Sequence, residues 1–81
     1  MKGNDPGFIK DQESLMVLGL KNNATIDDTE VILEAKDDTI SDNQKWLVVF
    51  EFDGWFKLIN TLSGRFLTAA NATSLLISGV L

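Results

Sequence analysis

Asp42-Asn43-Gln44-Lys45-Trp46 runs into the apolar stretch Leu47-Val48-Val49-Phe50-Glu51-Phe52, then Asp53-Gly54, then Trp55-Phe56-Lys57-Leu58-Ile59-Asn60. A Gln-x-Trp opening an apolar, β-branched run, followed by Asp-Gly and a second such run, reads as a β-hairpin. Asp and Gly both tolerate the positive φ that a two-residue type I′ turn demands. With Ser63-Gly64-Arg65-Phe66-Leu67 directly behind it, the stretch looks like one β-rich repeat passing into the next. Such a pattern points to a binding fold rather than to an enzyme.

Outward from this hairpin, apolar and β-branched runs alternate with Gly, Asn, Asp and Ser clusters, and no stretch keeps capped helical spacing for three turns. Strands are expected near Gly7 to Lys10, Leu15 to Leu20, Glu30 to Ala35, Lys45 to Phe52, Trp55 to Asn60, Phe66 to Ala69 and Ser74 to Ser78. Longer polar loops are expected over Lys21 to Thr29 and Lys36 to Asn43. The halves also echo each other. Phe8-Ile9-Lys10, Ser14, Val17-Leu18, Asn23-Ala24-Thr25 and Val31-Ile32-Leu33 correspond to Leu58-Ile59-Asn60, Ser63-Gly64, Phe66-Leu67, Asn71-Ala72-Thr73 and Leu75-Leu76-Ile77. The offset is about 44 to 50 residues, typical of β repeats. The expected organisation is a single domain, with a first repeat over about 7–52 and a truncated second over about 53–81.

Composition narrows the chemistry. A chain of 81 residues forms one small domain. It contains no cysteine and no histidine, which excludes disulfides, thiol chemistry, the common zinc sites and any Ser-His-Asp arrangement. An enzyme is therefore not expected, and no cofactor is implied. The formal net charge of −5, with seven scattered Lys and Arg, argues against a nucleic-acid partner. The acidic run Asp37-Asp38-Thr39-Ile40-Ser41-Asp42 lacks the turn glycine and closing glutamate of a calcium loop and reads as a solvated loop rather than a metal site. Met1 to Gly7 has no apolar core, so neither a signal peptide nor membrane insertion is expected. As written the chain looks cytoplasmic, and secreted only if a leader has been removed; the sequons at Asn23 and Asn71 matter only in that case.

Four strands per repeat, Gln44-Lys45-Trp46 opening the fourth, and Ile59 followed by Ser63-Gly64 and Leu67 resemble the ricin-B-type β-trefoil, over Gly7 to Gly79. The resemblance implies an all-β, β-trefoil-like fold of short antiparallel strands and hairpins, incomplete within one chain, and a lectin-like, carbohydrate-binding module. In that family an Asp follows the second-strand Val-Leu, an aromatic ends the third strand, and Asn-Gln precedes the Trp. Here the Asp position holds Gly19 in the first repeat and Thr68 in the second, and the aromatic position holds Glu34. Only Asn43 and Gln44 remain, so the sugar site implied is degenerate.

The candidate ligand-binding residues are Asp42, Asn43, Gln44 and Trp55. Asn43 and Gln44 are also the residue types that satisfy backbone groups in a turn, and Trp46 reads as core. Trp55 would pair across from Phe52 and serve as a contact if exposed. A simple two-residue loop would put Trp46, Val48, Phe50, Phe52, Trp55 and Ile59 on one face and Leu47, Val49, Phe56 and Leu58 on the other, so protein is expected on both sides. The uncharged run Leu75 to Leu81 is expected to leave an open edge that associates. The chain is then a piece of a longer trefoil, a self-associating unit, or the complement of a second chain. The alternative to a lectin is a protein-interaction or assembly module, of scaffold or inhibitor type.

Overall fold

The computed structural model describes residues 5–39 and 42–79. Expectations that rest on residues 1–4, Ile40, Ser41, Val80 and Leu81 lie outside the described residues. Among those described, the chain is all-β. Six strands, β1 (Val17–Leu20), β2 (Glu30–Glu34), β3 (Trp46–Phe50), β4 (Phe56–Asn60), β5 (Phe66–Asn71) and β6 (Ser74–Ser78), form one antiparallel sheet in the order β1-β2-β6-β5-β4-β3. It curls into a half-barrel, the incomplete β-trefoil-like class expected of short strands and hairpins. No helix among the described residues is long and apolar enough to cross a membrane.

The segment expected as a first strand instead switches partners. Gly7 exchanges both backbone hydrogen bonds with Trp46 on β3, at 2.9 and 2.8 Å, while Ile9 C=O accepts from Leu18 N–H on β1 at 3.0 Å. Lys10 bridges to Val17. Two rungs to two different strands do not make a strand, but they tie the two edges of the sheet together. The edge expected at the C-terminal run is likewise absent where the chain is described, because β6 lies between β2 and β5.

Leu20, Val31, Trp46 and Ile77 form the buried core, with Ile9, Leu18, Leu58, Leu67 and Leu75 packed against them. They come from β1, β2, β3 and β6 together with the flanking segment and β4 and β5, so burying this apolar area couples the whole sheet.

The repeat is visible in two matching turns. Asp11 N–H donates to Met16 C=O at 2.8 Å and Asn60 N–H to Arg65 C=O at 2.9 Å. Leu15 N–H donates to Asp11 C=O at 2.9 Å and Gly64 N–H to Asn60 C=O at 2.8 Å. The side chains of Asp11 and Asn60 accept from the backbone N–H of Ser14 and Ser63, both at 3.0 Å. Leu15 and Gly64 share the left-handed conformation, with φ of 63° and 71°. Asn60 therefore matches Asp11 rather than Lys10, one residue from the pairing read in sequence.

A second tie joins the loop before β2 to the far side of the sheet. Arg65 Nε donates to Asp27 Oδ1 at 2.8 Å and Gly79 N–H donates to the same oxygen at 3.1 Å. The Arg65 hydrogen bond, then that from Gly79, holds the Asp27 carboxyl below its usual 3.8. The Ser14 hydroxyl and N–H lower Asp11 likewise. Because the folded pKa lies below the unfolded one, this stabilisation is complete above the unfolded value and is lost as pH falls through the folded one. Urea denaturation across the acid range should show stability dropping below about pH 4. The Asp27→Asn variant should be less stable at neutral pH and should lose less on acidification.

Candidate binding site

The Asp42–Gln44 turn, a single 3₁₀ turn before β3, is a structural latch. Gln44 is buried. Its amide donates to Ala35 C=O at 2.9 Å and to Glu34 Oε2 at 2.6 Å, while its Oε1 accepts from Asp37 N–H at 2.8 Å. The chain leaving β2 is thereby fastened to the start of β3. Asn43, also buried, donates to Leu20 C=O and to the Asn23 side chain, and its own C=O accepts from the Asn60 amide at 2.8 Å. Trp46 is 0% exposed and its indole N–H donates to Leu18 C=O at 3.0 Å. The side-chain amides of Asn43 and Gln44 are occupied from within the protein.

Gly19 and Glu34, the positions at which the resemblance implied an Asp and an aromatic, lie against each other. A Cβ on Gly19 would lie 2.8 Å from Glu34 Cδ and 3.1 Å from Gln44 Cγ. Glu34 folds over the bare backbone of Gly19 and is held there by Gln44. Asp42 is exposed, and its backbone C=O accepts from the Thr61 hydroxyl at 2.8 Å.

Trp55 lies at the opposite end of the same hairpin. Asp53 and Gly54 have φ of 57° and 81°, the type I′ turn that Asp-Gly favours. Trp55 N–H donates to Phe52 C=O at 3.2 Å, yet Phe50, not Glu51, faces Phe56. Glu51 is thus an extra residue in the first strand, a β-bulge. It shifts the register by one and overturns the expected faces. Trp46, Val48, Phe50, Phe56, Leu58 and Asn60 share the inner face, and Leu47, Val49, Lys57 and Ile59 the outer. Both faces are buried at the Trp46 and Ile59 end and exposed at the tip. The four residues of β3 beyond Trp46 add about 13 Å at roughly 3.3 Å each, so Trp55 does not join Asp42, Asn43 and Gln44 in one site.

The tip carries two clefts that share Phe56. The outer one, about 290 Å³, is lined by Glu51, Phe52, Trp55, Phe56 and Lys57. Trp55 is 71% exposed. Beside it Lys57 Nζ sits 3.3 Å from Glu51 Oε1 and 4.7 Å from the centre of the Phe66 ring. An exposed indole therefore lines one cleft together with a Glu51–Lys57 ion pair. The inner cleft, about 380 Å³, is lined only by Ile9, Val48, Phe50, Phe56 and Leu58.

No protein-family model, curated protein or solved structure matches the chain. Glu51 and Lys57 were not among the residues singled out from sequence. Their signal was a pair of opposite charges flanking the Asp-Gly turn, and its meaning depended on the bulge. Among the described residues no group of three or more acidic side chains is arranged to hold a metal ion.

Proposed function

We propose that this chain is a non-catalytic, lectin-like binding module of the ricin-B-type β-trefoil class, with carbohydrate as its ligand and the outer hairpin cleft as its contact. The supporting observation is the exposed Trp55 lining the same cleft as the Glu51–Lys57 ion pair. Sugar recognition needs an aromatic face to cover the apolar side of the ring and fixed polar groups to hold its hydroxyls. The outer cleft offers both, at a size suited to one sugar unit, whereas Asn43 and Gln44 spend their hydrogen bonds on the fold. Asp42 stays on the surface, its backbone C=O accepting from the Thr61 hydroxyl.

A glycan panel read with the folded wild-type chain and with Trp55→Ala tests this. Trp55→Ala should weaken the retained glycans about tenfold or more, the loss of about 1.4 kcal/mol or more of contact energy. Glu51→Gln should weaken them less. A folded chain that retains no glycan, or retention lost in Asp42→Ala but kept in Trp55→Ala, would overturn the proposal. The wholly apolar inner cleft favours a second role, in protein association, at a surface of its own.

A further inference from the structure

We infer that the outer cleft selects a cationic amino sugar, a hexopyranose carrying a free ammonium group, over neutral and acidic sugars. The inference rests on the sugar reading of that cleft and names the class of sugar it takes.

Charge decides the class. Between Trp46 and Asn60 the charged residues of the hairpin are Glu51, Asp53 and Lys57, so two carboxylates stand against one ammonium. Glu51 and Lys57 line the cleft with Phe52, Trp55 and Phe56. Asp53 is exposed in the turn just before Trp55, and among the described residues its carboxylate has no ion-pair partner. Other cations are engaged elsewhere. Lys36 and Lys45 lie over the Phe8 ring, 4.5 and 6.0 Å from its centre, and Arg65 is held by Asp27.

Lys57 is poorly placed to receive an acid. Its ammonium already meets Glu51 Oε1 and the Phe66 ring, so an anionic sugar would have to draw it from both. The formal charge of −5 on the chain also repels an anion and attracts a cation from a distance. Glu51 has capacity left, because a carboxylate accepts at both oxygens and Lys57 meets Oε1. The side chains of Lys57 and Glu51 are 53% and 34% exposed, the setting in which an ion pair is weak and a second cation can share the carboxylate.

The aromatic lining suits the same ligand. In glucosamine the C–H groups point along the ring axis and the ammonium leaves from the ring's edge. Stacking the C–H face on an indole therefore leaves the ammonium free for a carboxylate of the lining. Aromatic faces attract cations, and Trp does so most strongly. This fold already uses that contact, with Lys57 against Phe66 and Lys36 against Phe8.

Methyl β-glycosides that share one ring separate charge from shape. The glucosaminide is cationic, the glucoside and N-acetylglucosaminide are neutral, and the glucuronide is anionic. Each is titrated at about pH 6, where amines are protonated and carboxylates ionised, while the Trp55 indole N–H resonance is followed. The glucosaminide should bind about tenfold or more tighter than either neutral sugar, because charge-assisted hydrogen bonds are roughly twice as strong as neutral ones. The glucuronide should bind most weakly, and the lead of the glucosaminide should shrink as salt rises. Asp53→Asn supplies a residue that the type I′ turn accepts, and Glu51→Gln keeps the side-chain length. Together they should lower the glucosaminide to the level of the glucoside measured on the same variant. The wild-type series decides the matter even should the double variant fold poorly. Equal binding of the cationic and neutral sugars, tightest binding of the glucuronide, or a lead that survives in the folded double variant would overturn the inference and leave the sugar reading standing. No saturable shift with any of these glycosides would overturn the sugar reading, and the inference with it.

Discussion

Trp46→Ala is expected to leave the chain largely unfolded at room temperature. The indole is 0% exposed at the junction of β1, β3 and the Gly7 bridge, and its N–H donates to Leu18 C=O. Truncating a buried Trp to Ala costs about 3–5 kcal/mol. Leaving Leu18 C=O without its partner adds about 1 kcal/mol. A chain of this size has a total stability of about 4–12 kcal/mol at typical values per residue, so this one change removes much or all of it. Urea denaturation followed by far-ultraviolet circular dichroism should show no folded baseline, or a midpoint close to zero denaturant. Trp46→Phe, which keeps most of the apolar volume and loses the hydrogen bond, should cost less. A Trp46→Ala chain with a near-wild-type midpoint would contradict the packing described here.

The second large effect is expected at Gln44. Its side chain meets Ala35 C=O, Glu34 Oε2 and Asp37 N–H at once. Gln44→Leu retains the volume but leaves these polar groups without that partner, at a cost of about 2–4 kcal/mol. Gln44→Glu should be worse near neutral pH than in mild acid, because a second carboxylate would face Glu34 where an amide now donates. Protonation of either group would relieve the repulsion. Denaturation of both variants between about pH 3 and about pH 7, a range that spans carboxylate ionisation, checks this. A Gln44→Leu chain as stable as wild type would mean that the turn is not a latch.

Much of the fold could be read from residue types because local and tertiary preferences agree there. Asp53-Gly54 specified its turn, the β-branched runs specified β2, β3 and β6, and Gln44 and Trp46 specified the latch. What could not be read depended on single residues whose effect is not local. Glu51 looks like one more strand residue, yet as a bulge it moves Phe56 and Leu58 to the face of Trp46 and creates the inner groove. Gly7 to Lys10 reads as a strand because its alternation is right, but its hydrogen bonds are divided between β1 and β3. The run ending at Leu81 reads as an edge because sequence order does not reveal that β6 inserts between β2 and β5. Of the candidate site residues, only Trp55 lies in the exposed cleft. Amides such as Asn43 and Gln44 hold a ligand or a turn equally well, and only the geometry of their neighbours distinguishes the two.

The most direct test of sugar binding at the hairpin tip uses the two indole N–H resonances of the chain as reporters. Trp46 is buried and Trp55 is exposed, so they sample the latch and the cleft separately. Methyl β-galactoside, methyl α-mannoside and N-acetylglucosamine can be titrated in turn to high millimolar concentration while both signals are followed. At least one sugar should shift the Trp55 signal in a saturable way and leave Trp46 and the side-chain amides of Asn43 and Gln44 in place. Shifts at Asn43, Gln44 or Trp46 with Trp55 unmoved, or no saturable shift with any of these sugars, would contradict the account.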